Sequence, residues 1–200
     1  IVEGSISDGD IRRGLLEGKT IESNILEVAR KEFKFIQHNC KGRNDKFKEL
    51  KAAGINIVPV LSEAHQLIDV VVLSSKRAFI PAEGIIMAGG LGSRLKPLTD
   101  NTPKPLLKVA DKPIIQYNFE RLHQFGVDKI NVTLRYLGQQ LIDHFGSGEA
   151  IGCNLDYVTE EEPLGTIGAV KLIDSIHQDY VILMNSDILT NIDYEDFFEE

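Results

Sequence analysis

Cysteine is scarce in this 200-residue sequence: Cys40 and Cys153 are the only two, and they form no CxxC pair. That argues against a disulfide framework or a cysteine-built metal site, and reads as reduced thiols in a cytoplasmic protein. The five histidines fall in no HExxH or related metal spacing. Apolar runs such as Ile55 to Leu61 and Tyr180 to Met184 are far too short to span a bilayer, so no membrane partner is expected. Ile1-Val2-Glu3 has neither the basic start nor the apolar stretch of a signal peptide. There is no initiating Met, which reads as removal of upstream sequence. A broad basic face is missing as well. The net charge is −8, and nucleic acid is therefore not an expected partner.

What is present is ordinary in bulk and uneven in detail. Hydrophobic residues make up 42% and charged residues 26%, as in a soluble globular chain able to hold one large or two small domains. Residues 1–81 carry 13 Lys/Arg against 11 Asp/Glu; residues 82–200 carry 9 against 19. Inside that acidic half, Arg94, Lys96, Lys104, Lys108 and Lys112 crowd together, opposed only by Asp100 and Asp111. A local cationic island on an acidic chain suits a small polyanion.

The pattern along the chain changes near residue 80. Before it, Ile1 to Asp10 can be laid over Leu67 to Lys76, each read as a strand ending in a polar turn. Between them the sequence predicts a helix Ile11 to Glu17 closed by Gly18, a helix around Ile25 to Lys31 and a strand Phe33 to Gln37. A helix near Asp45 to Ala53 and a buried strand Ile55 to Leu61 follow. Residues 77–84 read as a linker. Beyond it strands and helices alternate: strands at 84–88, 129–135, 153–159 and 180–184, and helices at 113–124, 138–145 and 165–173. Such alternation predicts an α/β fold, a Rossmann-like mixed and mostly parallel sheet with right-handed crossovers. Ligands of such sheets sit at the carboxyl ends of the strands, where both the glycine turn after Met87 and Asp187 fall.

Ala88-Gly89-Gly90-Leu91-Gly92-Ser93-Arg94 follows the apolar run Ile85-Ile86-Met87, and Thr102-Pro103-Lys104-Pro105-Leu106-Leu107 lies just beyond. Glycines let backbone N–H groups approach an oxyanion, and a helix start adds partial positive charge. Arg94 can fork onto phosphate oxygens. Prolines on both sides of Lys104 restrict its backbone and reduce the entropy lost on fixing it. The glycines alone remain compatible with a simple tight turn. A Walker loop would need Gly-Lys-Ser/Thr, and a dinucleotide fingerprint a third glycine where Leu95 stands.

Residues 84–200 resemble the sugar-1-phosphate nucleotidyltransferases. The matching stretches are Gly89 to Thr99, Pro103 to Leu107, Glu161-Glu162-Pro163-Leu164-Gly165-Thr166 and Asn185-Ser186-Asp187, and the Glu-Glu-Pro-Leu-Gly-Thr variant is most similar to the mannose-1-phosphate guanylyltransferase branch. The resemblance implies that the backbone of Ala88, Gly89, Gly90 and Gly92 holds a nucleoside triphosphate. It implies that Arg94 stabilises the leaving pyrophosphate, Lys104 the α-phosphate, and that Gly165 and Thr166 contact base, ribose or sugar. Asp187 would bind a catalytic Mg²⁺. On the residues alone Asp187 reads first as a solvated turn carboxylate or a helix N-cap. Glu160, Glu161 and Glu162 read as a solvated face, and Lys96, Lys108 and Lys112 as surface lysines. Ser186 stands where the family often has Gly. The sequence stops at Glu200, short of further sugar-contacting residues and a second metal-binding aspartate that the resemblance implies. The expectation for the chain as it stands is nucleotide binding with weak turnover or none.

The first eighty residues resemble CBS (cystathionine β-synthase-type) motifs. Residues 1–20 would be the tail of a first motif, 21–80 a second, and 81–200 the transferase domain. The resemblance implies that Ser7 and Asp10 hold the ribose of AMP or ATP, while Lys76 takes the place of the corresponding aspartate in the second copy. Packing is the alternative role, with Asp10 capping the Ile11 helix, and a homodimer is suggested by analogy. The leading expectation is an enzyme making an NDP-sugar, favouring GTP and a mannose-type hexose phosphate, under control of the CBS module. An adenylate-sensing binding protein with a non-catalytic transferase-like half is the alternative, and a silent partner subunit a third.

Overall fold

Ser7 starts the first regular element. Its hydroxyl and the Asp10 side chain close a capping box at the head of helix α1 (Asp8–Leu16): the Asp10 N–H reaches the Ser7 side chain at 3.4 Å, and the Ser7 N–H donates to Asp10 Oδ2 at 2.9 Å. Arg30 Nε donates to the same carboxylate at 2.6 Å, and Arg13 joins it from the next turn. Ser7, not Asp10, is therefore the cap, and the helix begins three residues earlier than the apolar pattern suggests. These hydrogen bonds, first from Ser7 and then from Arg30, hold the Asp10 carboxyl well below the usual carboxylate range. A depressed folded-state value means that the contribution is full above the ordinary Asp range near 4 and is lost as acid protonates the folded carboxylate. Ser7→Ala is expected to cost about 1 kcal/mol, the usual value of a helix cap. Urea melts followed by circular dichroism at neutral pH check it, and the deficit should shrink in acid.

The computed structural model describes residues 1–40, 42–162, 164–165 and 167–200. The chain divides into two compact units, Ile1–Ser74 and Ser75–Glu200. In the first, α1 is followed by strand β1 (Ile36–Gln37), helix α2 (Arg43–Ala52), β2 (Ile57–Leu61) and β3 (Leu67–Val72). The sheet order is β1-β2-β3, parallel then antiparallel. Ile36, Phe47, Val58, Val60 and Leu61 are buried. The suggested repeat is only half realised. Leu67–Val72 is a strand, whereas its counterpart contributes a single bridge, Ser5 to Arg30. That bridge draws the chain away from a helix over Ile25 to Lys31, leaving one 3₁₀ turn at Ile25–Glu27.

The second unit holds β4 (Ala82–Met87), the short hairpin β5 (Lys108–Val109) and β6 (Lys112–Pro113), helix α3 (Ile114–Gln124) and β7 (Lys129–Leu134). Helix α4 (Gln139–Phe145), β8 (Asn154–Thr159), β9 (Tyr180–Asn185) and helix α5 (Tyr194–Glu199) complete it. Its main sheet has the order β8-β7-β4-β9 with every pairing parallel, as strand–helix alternation predicts. Ile86, Ile130, Val132, Leu134, Leu155 and Met184 form one core with Ile115, Phe119 and Leu122, which recur at helical spacing along α3.

Two expectations fail here for physical reasons. Residues 77–84 are no solvated linker: Ala78, Phe79 and Ile80 are buried, Arg77 N–H donates to Gln124 O at 2.5 Å, and Ile80 N–H donates to Phe125 O at 2.9 Å. Ala78 and Ile80 belong to the core of the second unit. Lys76 is also buried there; its ammonium donates to His123 O at 3.0 Å and Asp128 Oδ1 at 2.5 Å, within reach of His123 Nδ1. Burial raises the Asp128 carboxyl, but hydrogen bonding from His123 and the Lys76 charge outweigh it, and the net shift is downward. The second failure is the helix over 165–173. Only a 3₁₀ stretch, Gly168–Leu172, forms; Ile167 and Leu172 remain exposed, and a short helix without a buried apolar face is not self-sustaining.

Candidate active site

The four parallel strands deliver their carboxyl ends to one hollow of about 570 Å³, a size typical of small-molecule sites. From β4 come Met87 and the turn Ala88 to Gly92, from β7 Thr133 and Arg135, from β8 Glu160, and from β9 Asn185, Ser186 and Asp187. Hydrogen bonds just past the strand ends fix this rim. Ala88 N–H donates to Thr133 O at 2.9 Å, Glu160 N–H to Leu134 O at 2.8 Å, and Ser186 N–H to Met87 O at 3.1 Å.

The glycine turn has a steric requirement. Gly92 has φ +61°, in the left-handed region, and a Cβ there would meet Thr99 Cγ2 at 2.9 Å and Lys104 Cβ at 3.2 Å. The fully buried Thr99 donates its hydroxyl to Gly92 O at 2.9 Å, locking the bend. Gly92 thus lets the loop carrying Lys104 lie against the turn carrying Arg94. Lys104 opens a 3₁₀ turn (Lys104–Leu106) whose flanking Pro103 and Pro105 are buried. Its ammonium donates to Asp187 Oδ2, and both side chains are about one-third exposed, at 35% and 33%.

Of the residues singled out from the sequence, Ala88, Gly89, Gly90, Gly92, Arg94, Lys104, Gly165 and Asp187 all line this hollow. Thr166 lies outside the described residues. Ser7 and Asp10 belong to the first unit and are engaged in the α1 cap. Lys96, Lys108 and Lys112 do not line the hollow: Lys96 pairs with Asp100 at 3.4 Å, and Lys112 pairs with Glu120 and lies over the Tyr117 ring.

Three residues of the site went unread. Glu160 is not a solvated carboxylate; it is 8% exposed and lines the hollow. Its Oε2 accepts from Leu164 N–H at 3.2 Å, and its Oε1 would lie 2.9 Å from a Cβ placed on Gly89. Gly89 is therefore needed for Glu160 to reach the wall. Glu160 was hidden in a run of three glutamates, two of which, Glu161 and Glu162, are exposed. Arg135 adds a third cation beside Arg94 and Lys104, and Thr133, whose buried hydroxyl has no hydrogen-bond partner among the described residues, lines the floor. Strand periodicity ending at Arg135 was the available signal for these two.

A hard divalent cation suits one carboxylate plus phosphate oxygens and water. Asp187 offers such a carboxylate in the lining of a hollow large enough for a nucleotide, so the residues present fit the metal. Among the described residues no cluster of three or more His, Cys, Asp or Glu could hold a metal ion by itself, so bound phosphate would have to supply the remaining oxygens. Among the described residues no helix is long and apolar enough to cross a membrane.

Residues 83–200 match the nucleotidyl transferase family. The N-acetylmuramate alpha-1-phosphate uridylyltransferase of Neisseria meningitidis serogroup B is 38% identical over 121 residues, covering 58% of this chain and 52% of that protein. The mannose-1-phosphate guanylyltransferase of Mycobacterium tuberculosis is 33% identical over 112 residues, 56% of this chain and 31% of the relative. Among solved structures, HddC from Yersinia pseudotuberculosis complexed with GMP-PN superposes with a TM-score of 0.51 at 34% identity, covering 59% of this chain and 53% of that one. The chain thus spans about half or less of the length of these proteins. The likeness of the first unit to CBS motifs rests on its sequence alone.

Proposed function

The chain belongs to the nucleotidyl transferase family, and from that premise we propose that it transfers a nucleotidyl group from a nucleoside triphosphate, GTP for preference, to a mannose-type sugar 1-phosphate. The observation that carries this reading is the convergence of Arg94, Lys104, Arg135 and Asp187 on one hollow floored by the Ala88 to Gly92 turn.

The chemistry is an in-line displacement. A phosphate oxygen of the sugar 1-phosphate attacks the α-phosphorus, a new P–O bond forms, the bond to the β-phosphate oxygen breaks, and pyrophosphate leaves with that electron pair. Both reactants are anions, so the obstacle is their mutual repulsion and alignment. The turn amides from Ala88 to Gly92 cradle the phosphate tail. Arg94 takes up charge developing on the departing pyrophosphate, and Lys104 leaves Asp187 to neutralise the α-phosphate. Asp187 would hold Mg²⁺, which supplies further charge neutralisation and phosphate orientation when bound.

The GTP preference is supported by Glu160 and by the guanylyltransferase relative. A carboxylate accepts hydrogen bonds and donates none; with Oε2 taken by the Leu164 N–H, Oε1 is left to accept from an N–H on the guanine edge. Glu160→Gln is expected to lower the preference for GTP over UTP about ten-fold or more, because one acceptor becomes a donor facing a donor. Titration calorimetry with each nucleotide checks it; an unchanged ratio removes guanine from this wall.

The direct experiment supplies GTP, mannose 1-phosphate and Mg²⁺ and follows pyrophosphate. Release that depends on all three is expected. A protein that neither binds any nucleoside triphosphate nor releases pyrophosphate from any pair of substrates rules the reading out.

A further inference from the structure

We propose that Asn118 is a positioning residue for Asp187, acting through the carbonyl of Ser186; this rests on the transferase reading above. Asn118 stands on the core face of α3, three residues after Ile115 and next to Phe119, both fully buried. It is itself only 4% exposed. An amide on such a face is unfavourable unless it is hydrogen-bonded, and Leu would fill the space at no such cost. Its Nδ2 donates to Ser186 O at 3.1 Å.

That oxygen belongs to the peptide plane joining Ser186 to Asp187. The plane is rigid, so fixing its oxygen fixes the direction in which Asp187 leaves the strand. On the other side, Ser186 N–H donates to Met87 O at 3.1 Å, the last residue of β4. Ser186 is 6% exposed and is thus held from both faces of its backbone, by the strand that starts the glycine turn and by the helix packed beneath it. Asp187, one residue on, is one-third exposed and meets Lys104. The rigid core ends one residue short of the carboxylate, and Asn118 is the clamp at that end. Its role is to hold the Asp187 oxygens where they would bind a cation beside the phosphate tail.

Asn118→Asp keeps the shape and removes the donor; Asn118→Ala covers the case in which a buried carboxylate prevents folding. Mn²⁺ binding followed by electron paramagnetic resonance, with a non-hydrolysable GTP analogue present, reads the carboxylate without turnover. Loss of a partner that orients a metal ligand should weaken Mn²⁺ affinity about ten-fold or more. Metal-free affinity for the analogue should stay within about two-fold, since the turn amides and cations that hold phosphate are untouched. Wild-type Mn²⁺ affinity in a folded Asn118 variant overturns the proposal, as does an equal fall in metal-free nucleotide affinity, which marks general loosening of the site. If the wild-type protein binds no metal nucleotide, the transferase reading falls with it.

Discussion

Asp187→Asn is expected to lower pyrophosphate release by about 10²- to 10³-fold, the scale on which loss of one charged transition-state contact acts. The side chain keeps its size and loses its charge, so it would hold a cation beside the two mutually repelling phosphates much less well. Its stability effect is expected to be small. The carboxylate is one-third exposed and its Lys104 partner is equally so, and pairs in such surroundings contribute about 0–1 kcal/mol. Steady-state pyrophosphate release, with a thermal melt on the same preparation, separates the two effects. Turnover within a few-fold of wild type would remove Asp187 from the chemistry, whatever the melt shows.

Lys104→Met should also reduce turnover, by about 10²-fold, through loss of a cation at the transferring phosphate. A second effect has the opposite sign. The Lys104 ammonium occupies Asp187 Oδ2, so a metal ion would have to displace it. Removing the ammonium should therefore strengthen Mn²⁺ binding to the nucleotide-free protein while weakening catalysis. On the proposed reading a triphosphate would draw the lysine away and free the carboxylate, so that nucleotide and metal would assist each other's binding by the same factor. Calorimetric Mn²⁺ titrations with and without a non-hydrolysable GTP analogue measure this. Equal metal affinity in Lys104→Met and wild type would mean that the pair does not gate the site.

On the proposed transferase reading, these residues would act together to join two anions. Arg94 and Lys104 are already gathered at one hollow, so on that reading the main rearrangement left is the Lys104 ammonium leaving Asp187 for phosphate. Gly92 and Thr99 matter for the same reason. They add no charge, but the bend they lock is what brings the Lys104 loop against the turn.

The linear order of residues was enough to place the strands β4, β7, β8 and β9, the helix α3 and the glycine turn, because their periods and punctuation are local properties of the chain. It was enough also to bring Arg94 and Lys104 to notice, because glycine, arginine and a proline-flanked lysine stand close together in the chain; Asp187 stood out only through the family resemblance, and all three line the hollow. Tertiary structure alone decided the rest. Of the helix expected over residues 165–173 the described residues form a 3₁₀ stretch, and Ile167 and Leu172 find no burial among the described residues. Residues 78–80 joined the core because α3 and the turn after it accept their backbone hydrogen bonds. Glu160 became a wall of the site because Gly89, seventy-one positions earlier, leaves room for it. Asn118 met Ser186 across sixty-eight positions. Local pattern fixes which conformation a segment prefers. Which carboxylate is dry, and which amide holds a distant carbonyl, depends on surfaces that exist only after the strands have paired and the helices have packed.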